Sequence, residues 1–304
     1  MTLSQTYILI SPVKDEELFV EKTIESVLRQ TIKPLRWIIV DDGSRDGTLR
    51  VLAEHTSKVD WITVLPLETP AKRWSADTEI RPFMEGYELV RNGEFDFIVK
   101  LDCDLAFGPD YFEQLLHRFA QDPKLGIASG AYWEKRNNGW QRINMPGYHA
   151  AGCSKMVRSA CFRDIEGFVP SRGWDTLDQI RAQMSGWKTT HFKELKLYHL
   201  KAEGSSVGSL RTNVKSGEVY FKTGGGWFFF SLKFLHRLIF GKPVVFGAFG
   251  MLFGVLRSWL TGRPRLVNAS EANFYRTLLN NRIIAVFSRG FAWIPFLRKA
   301  ASTN

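Results

Sequence analysis

The first 65 residues alternate between apolar strand-like runs and amphipathic helical runs, and this alternation limits the possible folds severely. Apolar runs occur at 7–11, 36–40 and 61–65. Helical spacing of apolar residues fills the two gaps, from about 18 to 28 and from about 48 to 55. Strands that alternate with helices form a parallel sheet, with helices on its faces and ligands beyond the carboxyl ends of its strands. The sequence therefore predicts an α/β fold with a binding site at that edge.

Two aspartates, Asp41 and Asp42, follow the second apolar run and lead into Gly43 and Ser44. A carboxylate at a strand end can accept hydrogen bonds from a nucleobase or a ribose hydroxyl, and glycine lets the backbone turn closely around a ligand. We predict a ligand role for Asp41. Support of the turn is the alternative for Asp42, and capping of the next helix is the preferred role for Asp46.

A fourth apolar run, 97–107, contains Asp102 and Asp104. Such a run reads as a buried strand, whose period of two places both carboxylates on one side and Cys103 on the other. Two carboxylates so close repel each other unless a cation lies between them, and such oxygen ligands suit Mg²⁺ or Mn²⁺. We predict a metal clamp for a nucleotide diphosphate, and two solvated aspartates at a strand end are the alternative.

Composition and charge divide the chain into two parts. With 304 residues and 44% hydrophobic content, it can hold one large domain and an appendage. Residues 222–304 contain 12 Lys/Arg and one acid, a net +11, so 1–221 contain 29 basic and 30 acidic residues, a net −1. We predict a near-neutral body, 1–222, and a basic, helical tail, 223–304, that binds an anionic surface.

A membrane suits this tail better than nucleic acid, because its Phe, Leu and Val runs do not fit a solvated phosphate-binding face. Residues 243–256 are uncharged for 14 positions, whereas a spanning helix needs about 20. An interfacial or re-entrant segment is expected, and a buried helical subdomain is the rival. The three cysteines show no metal-ligand spacing and no signal peptide is evident, so we expect a cytoplasmic protein attached peripherally to the inner face of a membrane.

Two further stretches leave alternatives open. The polar connection 134–144, with aromatic residues around it, could be a substrate-shaping loop or a hairpin whose aromatic rings only pack. Residues 202–226 are rich in glycine and serine and could be a flexible lid, with Lys201, Arg211 or Lys215 closing on a diphosphate, or a plain linker.

Three segments together resemble family 2 glycosyltransferases of the GT-A fold, and the resemblance covers roughly residues 5–200. They are the opening strand with Pro12 and Asp15-Glu16-Glu17, the segment from Val40 to Thr48, and Leu101-Asp102-Cys103-Asp104. The resemblance implies a Rossmann-like, mainly parallel sheet. It also implies inverting, hexosyltransferase-type transfer from a nucleotide-diphosphate sugar to a hydroxyl of a glycan or lipid-linked acceptor, in polysaccharide or glycolipid synthesis. A membrane-attached nucleotide-sugar binding protein without catalysis is the alternative.

The resemblance also assigns roles to residues near the end of the body. Asp175 aligns with the catalytic aspartate, and Trp174 stands where relatives have glutamate, which allows a stacking role. An N-cap is the other interpretation of Asp175, and Asp178 is the next candidate for the base. In this family a histidine at the position of His199 can complete the metal shell with Asp102 and Asp104.

The sequence does not identify which basic residue binds the diphosphate, because Lys72-Arg73-Trp74-Ser75 and the following Arg81 replace the usual Ala-Arg-Asn-x-Gly run. Arg73 and Arg81 are the candidates. Ordinary solvated arginines are the alternative for both. The predicted substrate-binding residues are Pro12, Asp15, Asp41, Asp42, Arg73, Arg81, Asp102 and Trp174.

Overall fold

The computed structural model describes residues 5–68, 80–136, 139–201, 210–240 and 243–291, with side chains as far as 284. The chain forms two compact units, Met1–Glu203 and Gly204–Asn304. Arg73 lies outside the described residues, so its predicted role stays a prediction.

The first unit follows the predicted alternation of strands and helices. Its elements are β1 (Tyr7–Val13), α1 (Val20–Leu28), β2 (Arg36–Asp41), α2 (Thr48–Thr56), β3 (Ile62–Pro66), α3 (Arg81–Glu88), β4 (Phe97–Leu101), β5 (Leu105–Phe107), α4 (Tyr111–Gln121), β6 (Leu125–Arg136), β7 (Gly139–Arg142), β8 (Ser154–Arg158), α5 (Ser159–Asp164), α6 (Trp174–Met184) and β9 (Lys188–His199). From β1 to β3, each helix and strand begins and ends within two residues of the position predicted from the sequence.

Within the described residues, one nine-stranded sheet has the order β3-β2-β1-β4-β8-β6-β9-β5, with β7 paired to β6. Strands β1 to β4 pair in parallel, as predicted. The second half is mixed, because β8 runs antiparallel to both β4 and β6 and β5 runs antiparallel to β9. The chain order reverses between β1 and β4, and such a switch point places ligands beyond the carboxyl ends of these strands.

Alternate residues of β1 build the two apolar layers of the core. Tyr7, Leu9 and Val13 face the layer covered by α1, α2 and α4, whereas Ile8 and Ile10 face the layer covered by α3, α5 and α6. Each such side chain contributes about 1.5–3 kcal/mol when it is fully buried. The sheet is therefore held rigidly from both sides, which fixes the positions of its strand ends.

The run 97–107 is not one strand. β4 ends at Leu101 and pairs with β8, whereas β5 begins at Leu105 and pairs with β9. Asp102 and Asp104 lie in the turn between them, so the argument from strand period is wrong for these two residues. Cys103 is buried as predicted, with 2% of its surface exposed.

In the described part of the connection 134–144, β6 continues to Arg136 and pairs with β7 as the two arms of a hairpin. The ring of Trp140 lies 4.9 Å from that of Tyr198, centroid to centroid. These contacts favour the hairpin over the substrate-shaping loop.

The second unit is helical in its described parts. Its helices are α7 (Leu210–Lys222), α8 (Trp227–Phe240), α9 (Phe246–Leu260) and α10 (Ala269–Phe291). A Cβ added to Gly254 of α9 would lie 2.0 Å from the carbonyl oxygen of Val214 of α7, so these two helices approach closely. Residues 210–222 therefore form a helix of the second unit, Gly204–Asn304, rather than a lid or a linker. Residues 202–209 lie outside the described part.

None of the helices in the described ranges is long and apolar enough to cross a membrane.

Candidate active site

A cavity of about 260 Å³ opens near the end of β4, in the first unit. Four of the predicted site residues line it: Asp102, Trp174, Asp175 and His199. The full lining is Lys100, Asp102, Tyr132, His149, Ala151, Gly152, Cys153, Arg172, Gly173, Trp174, Asp175 and His199. The fold thus brings the acidic turn, the start of α6 and the end of β9 to one place.

The acidic turn is tied to the strands around it. The backbone amide of Asp102 donates to the carbonyl of Cys153 at 2.8 Å. Its carboxylate forms an ion pair with the ammonium group of Lys100, which is only 4% exposed. A lysine held at such a depth requires a partner, and Asp102 provides it.

Asp104 is paired differently from Asp102. Its Oδ2 lies 3.1 Å from Nε2 of His199, and both side chains are about 10% exposed. Its Oδ1 is buried, and no described residue donates a hydrogen bond to it. A buried carboxylate oxygen of this kind suits a cation, so the donor chemistry fits the predicted metal.

The predicted three-residue metal shell is not assembled. Among the described residues, no group of three or more His, Cys, Asp or Glu side chains is arranged to hold a metal ion. Asp102 pairs with Lys100, whereas Asp104 pairs with His199. The clamp of Asp102, Asp104 and His199 stays a prediction.

Glu16 adds a third carboxylate to this end of the sheet. Burial raises the pKa of Glu16, the hydrogen bond from Lys201 opposes that rise, and repulsion from Asp104 and Asp102 adds to it. The Glu16–Lys201 ion pair has an N–O distance of 2.5 Å. The two residues are 185 positions apart, so no local pattern could have predicted their contact.

Helix α6 presents Asp175 in its first turn. The N-cap is Gly173, with φ 97°. The N-cap interpretation of Asp175 is therefore wrong, and its carboxylate belongs to the cavity wall. The carbonyl of Asp175 accepts a hydrogen bond of 2.6 Å from Nε2 of Gln179 and one of 3.4 Å from Lys155.

Trp174 is 7% exposed, and its ring packs against protein groups. The ring of Phe168 lies 4.8 Å away, and the ammonium groups of Lys155 and Lys100 lie 4.7 and 5.6 Å from the indole centroid. These contacts make Trp174 part of the wall beneath the cavity. They favour that role over stacking on a substrate.

Lys155 and Asp178 form an ion pair of 2.5 Å whose side chains are both 0% exposed. Burial raises the pKa of Asp178 to about 7, and the charge of Lys155 opposes that rise. Since Asp178 is fully enclosed and committed to Lys155, it is not a second candidate for the base. The pair instead fastens α6 to β8.

The Asp41 turn lies at the carboxyl end of β2. Asp41 is 1% exposed, and its carboxylate accepts hydrogen bonds from the amides of Gly43 at 3.2 Å and Ser44 at 3.1 Å. The hydroxyl of Ser44 donates to it as well. Both oxygens of Asp41 are thus used within the turn.

Asp42 and Asp15 complete this end of the site. Asp42 forms a 3.4 Å ion pair with Lys14 through Oδ2, while its Oδ1 is buried and receives no hydrogen bond from the described residues. Asp15, with φ 53°, accepts a 2.7 Å hydrogen bond from the amide of Arg45. The loop after β1 is therefore joined to the loop after β2. Asp42 is better placed than Asp41 to accept a hydrogen bond from a ligand.

Two other predicted residues lie away from the cavity lining. Pro12 pairs in register with Val40 inside the parallel sheet. Arg81 is the first residue of α3, whose buried residues pack against the sheet. Neither residue lines the cavity, so their predicted substrate-binding roles stay predictions, and Lys100 and Arg172 are the cationic side chains of the cavity lining.

Sequence reasoning missed Lys100, His149 and Arg172. Lys100 carried a signal, since a lysine inside an otherwise apolar strand must find a partner. His149 and Arg172 lie in irregular segments whose placement depends on the tertiary fold. Burial lowers the pKa of His149 to about 4, with the charge of Lys155 adding to the effect.

The sequence matches the family model described as Glycosyl transferase family 2 over residues 8–163. Chondroitin synthase of Escherichia coli is 31% identical over 119 residues, 39% of this chain and 16% of that protein. Poly-beta-1,6-N-acetyl-D-glucosamine synthase of Staphylococcus aureus strain COL is 25% identical over 116 residues, 38% of this chain and 26% of that protein. The chain thus matches only a sixth to a quarter of the length of these relatives.

Solved structures share the fold. The mannosyltransferase PcManGT from Pyrobaculum calidifontis, in complex with GDP-Man and Mn²⁺, superposes with a TM-score of 0.54 at 13% identity, covering 96% of this chain and 84% of that one. GalNAc-T7 with UDP, GalNAc and Mn²⁺ superposes with a TM-score of 0.58 at 12% identity, covering 84% of this chain and 54% of that one. S. aureus TarS 1–349 in complex with UDP-GlcNAc superposes with a TM-score of 0.53 at 14% identity, covering 89% of this chain and 78% of that one.

The match to the family model covers half of the chain, and the fold agrees with the GT-A neighbours. The predicted fold class and the predicted enzyme class, a glycosyltransferase, are confirmed. The chain belongs to glycosyl transferase family 2.

Proposed function

We propose that this protein transfers a sugar from a nucleotide-diphosphate sugar to an acceptor hydroxyl with inversion, and that the cavity between the acidic turn and α6 is its active site. The observation that carries the proposal is the common lining of that cavity by Asp102 and Asp175, from two separate elements. Lys100 and Arg172 supply positive charge to the same lining, which suits a diphosphate.

Asp175 is the proposed general base. It lies in the first turn of a helix that a buried ion pair fixes, so its carboxylate has a defined position. Removal of the acceptor's proton as the new glycosidic bond forms makes the acceptor oxygen nucleophilic while the nucleoside diphosphate leaves from the opposite face. No covalent enzyme intermediate is required.

Asp104 and His199, with Asp102 joining them, are the residues that would hold Mg²⁺ or Mn²⁺. When bound, the cation would neutralise charge on the diphosphate leaving group. The buried Oδ1 of Asp104 supports this assignment, and the Mn²⁺ in the complexes of PcManGT and GalNAc-T7 agrees with it. Asp102 must exchange its partner Lys100 for the cation.

The nucleoside is proposed to lie against the joined loops after β1 and β2. Asp42 offers a buried oxygen that can accept a hydrogen bond from a base or a ribose hydroxyl. Asp41 would act by holding the turn in shape, a change from the direct role that the sequence suggested.

The acceptor is proposed to be a growing polysaccharide or a glycolipid, since the relatives are named as synthases of chondroitin and of poly-beta-1,6-N-acetyl-D-glucosamine. An anionic membrane surface is the proposed partner of the second unit. Exposed aromatic and aliphatic residues recur along one side of α9, at Phe246, Phe249, Phe253 and Leu260. The net charge of +11 in 222–304 complements anionic lipid.

A thermal-shift screen of UDP-, GDP- and TDP-sugars, with and without Mn²⁺, tests the function. At least one donor should raise the melting temperature more than its free nucleoside diphosphate does, and Asp102→Asn, which keeps an oxygen facing Lys100, should abolish turnover of that donor while the protein still folds. If a donor binds but no transfer to any acceptor hydroxyl is detected with the parent, the catalytically inactive binding protein is the better account.

A further inference from the structure

His149 lines the cavity, and the proposed reaction leaves it without a role. It lies in the loop before β8, and its backbone is held on both sides. Its amide donates to the carbonyl of Pro146 at 2.9 Å, and its carbonyl lies 2.8 Å from Nδ1 of His191. The imidazole is therefore presented from a fixed backbone.

The hydrogen bonds of Gln179 define which nitrogen of His149 carries the proton. The side chain of Gln179 is buried, and its Nε2 donates to the carbonyls of Asp175 at 2.6 Å and Ala150 at 3.4 Å. Carbonyl oxygens only accept, so the amide nitrogen must face them and Oε1 must face the imidazole. Oε1 lies 3.1 Å from Nδ1 of His149.

Because Oε1 of Gln179 can only accept, Nδ1 of His149 must be the protonated nitrogen. The neutral ring then has a bare Nε2, which can accept a hydrogen bond but cannot donate one. The low pKa of His149, about 4, agrees with a ring that stays neutral. Gln179 also bonds to Asp175, so one side chain positions both the proposed base and this imidazole.

We propose that His149 is a sugar-recognition residue, whose bare Nε2 accepts a hydrogen bond from a hydroxyl of the sugar being transferred. The inference rests on the proposed function. The transferred sugar is the occupant because it must lie between the diphosphate end, at Lys100 and Asp102, and the base Asp175, and His149 lines that same cavity. The site then selects donors with a hydroxyl at this position over donors with a group that only accepts.

The first experiment measures the tautomer in the free protein by long-range ¹H–¹⁵N NMR on histidine-labelled protein between pH 5.5 and 8. His149 should show a protonated Nδ1 and a bare Nε2 throughout, and its signals, assigned by their absence in His149→Phe, should change in Gln179→Leu. A protonated Nε2 at pH 6.5 would overturn the proposal.

The second experiment compares the affinity for each UDP-, GDP- or TDP-sugar that binds the parent with the affinity for the matching UDP, GDP or TDP. His149→Phe should weaken nucleotide-sugar binding by about 5–100-fold, the cost of a lost hydrogen bond at a buried site, and leave nucleoside diphosphate affinity within about twofold. His149→Gln, which restores an acceptor oxygen, should recover most of the loss.

His191→Leu is the matched control, because His191 contacts the backbone of His149 and does not line the cavity. It should change the two affinities by the same factor. If His149→Phe also changes both equally, or changes only the KM for the acceptor, the sugar assignment is wrong. If no nucleotide sugar binds the parent, the proposed function itself fails, and the sugar assignment fails with it, while the NMR result still reports the tautomer.

Discussion

Replacing Lys155 with methionine should destabilise the first unit, because it leaves the carboxylate of Asp178 buried without its partner. Both side chains are 0% exposed and lie 2.5 Å apart. Breaking a buried pair by removing one member costs about 3–5 kcal/mol. For a unit of this size each kcal/mol shifts the melting temperature by about 2–4 °C, so the midpoint should fall by roughly 6–20 °C.

The loss should depend on pH in a defined direction. Burial raises the pKa of Asp178 from 3.8 to about 7. The protonated Asp178 therefore contributes fully to the free energy of unfolding below pH 3.8, and this contribution is lost as the pH rises through 7. Removal of Lys155 removes an influence that lowers this pKa, and the carboxyl then stays protonated to higher pH. The deficit of Lys155→Met should therefore be smaller at pH 5 than at pH 8.

Thermal melts followed by circular dichroism at pH 5, 6.5 and 8 measure both effects. Lys188→Met is the control, since Lys188 forms an ion pair of similar length, 2.7 Å, with Asp122 but is 62% exposed, and such pairs contribute about 0–1 kcal/mol. The double variant Lys155→Met/Asp178→Asn should recover stability relative to either single variant. A Lys155→Met midpoint within about 2 °C of the parent at pH 8 would refute the reasoning.

The remaining predictions concern the metal, the second unit and the membrane. Asp104→Ala should weaken Mn²⁺ binding at least about tenfold by calorimetry, because a buried carboxylate ligand is lost, and full transfer activity in excess EDTA would contradict the metal role. Gly254→Ala should lower the stability of the second unit by about 1–3 kcal/mol in denaturant melts, because the new Cβ would lie 2.0 Å from the Val214 carbonyl. Gly147→Ala, with nothing within 4 Å of its added Cβ, should change the melts little. Truncation after Glu203 should abolish sedimentation with anionic vesicles, and retained sedimentation after a salt wash would place the membrane contact in the first unit.

The early part of the fold could be predicted from the sequence because the apolar periods of β1, α1, β2, α2 and β3 are regular. The acidic turn could not, since β4 and β5 are contiguous in the sequence yet pair with different strands. An apolar run in the sequence does not indicate where the chain changes from one partner strand to another. Helix α7 could not be predicted for a similar reason, because it is held by close contact with the distant α9.

The candidate site was predicted in its acidic residues and missed in its cationic ones. Asp102 and Asp175 stand in recognisable motifs, and both line the cavity. The partners of these acids, Lys100, Lys155 and Gln179, become neighbours only through strand pairing and helix packing. Lys100 and Lys155 lie directly opposite each other on β4 and β8, a register that the sequence does not encode locally.

The most direct test of the central claim is the turnover number of Asp175→Asn, measured with the donor that the screen identifies and alongside donor affinity and melting temperature. Asparagine keeps the size of the side chain but cannot take the acceptor's proton, and the N-cap of α6 is Gly173 rather than Asp175. We predict a fall in kcat of about 10²–10⁴-fold with donor affinity and melting temperature near those of the parent. A kcat within a few-fold of the parent would show that Asp175 is not the base.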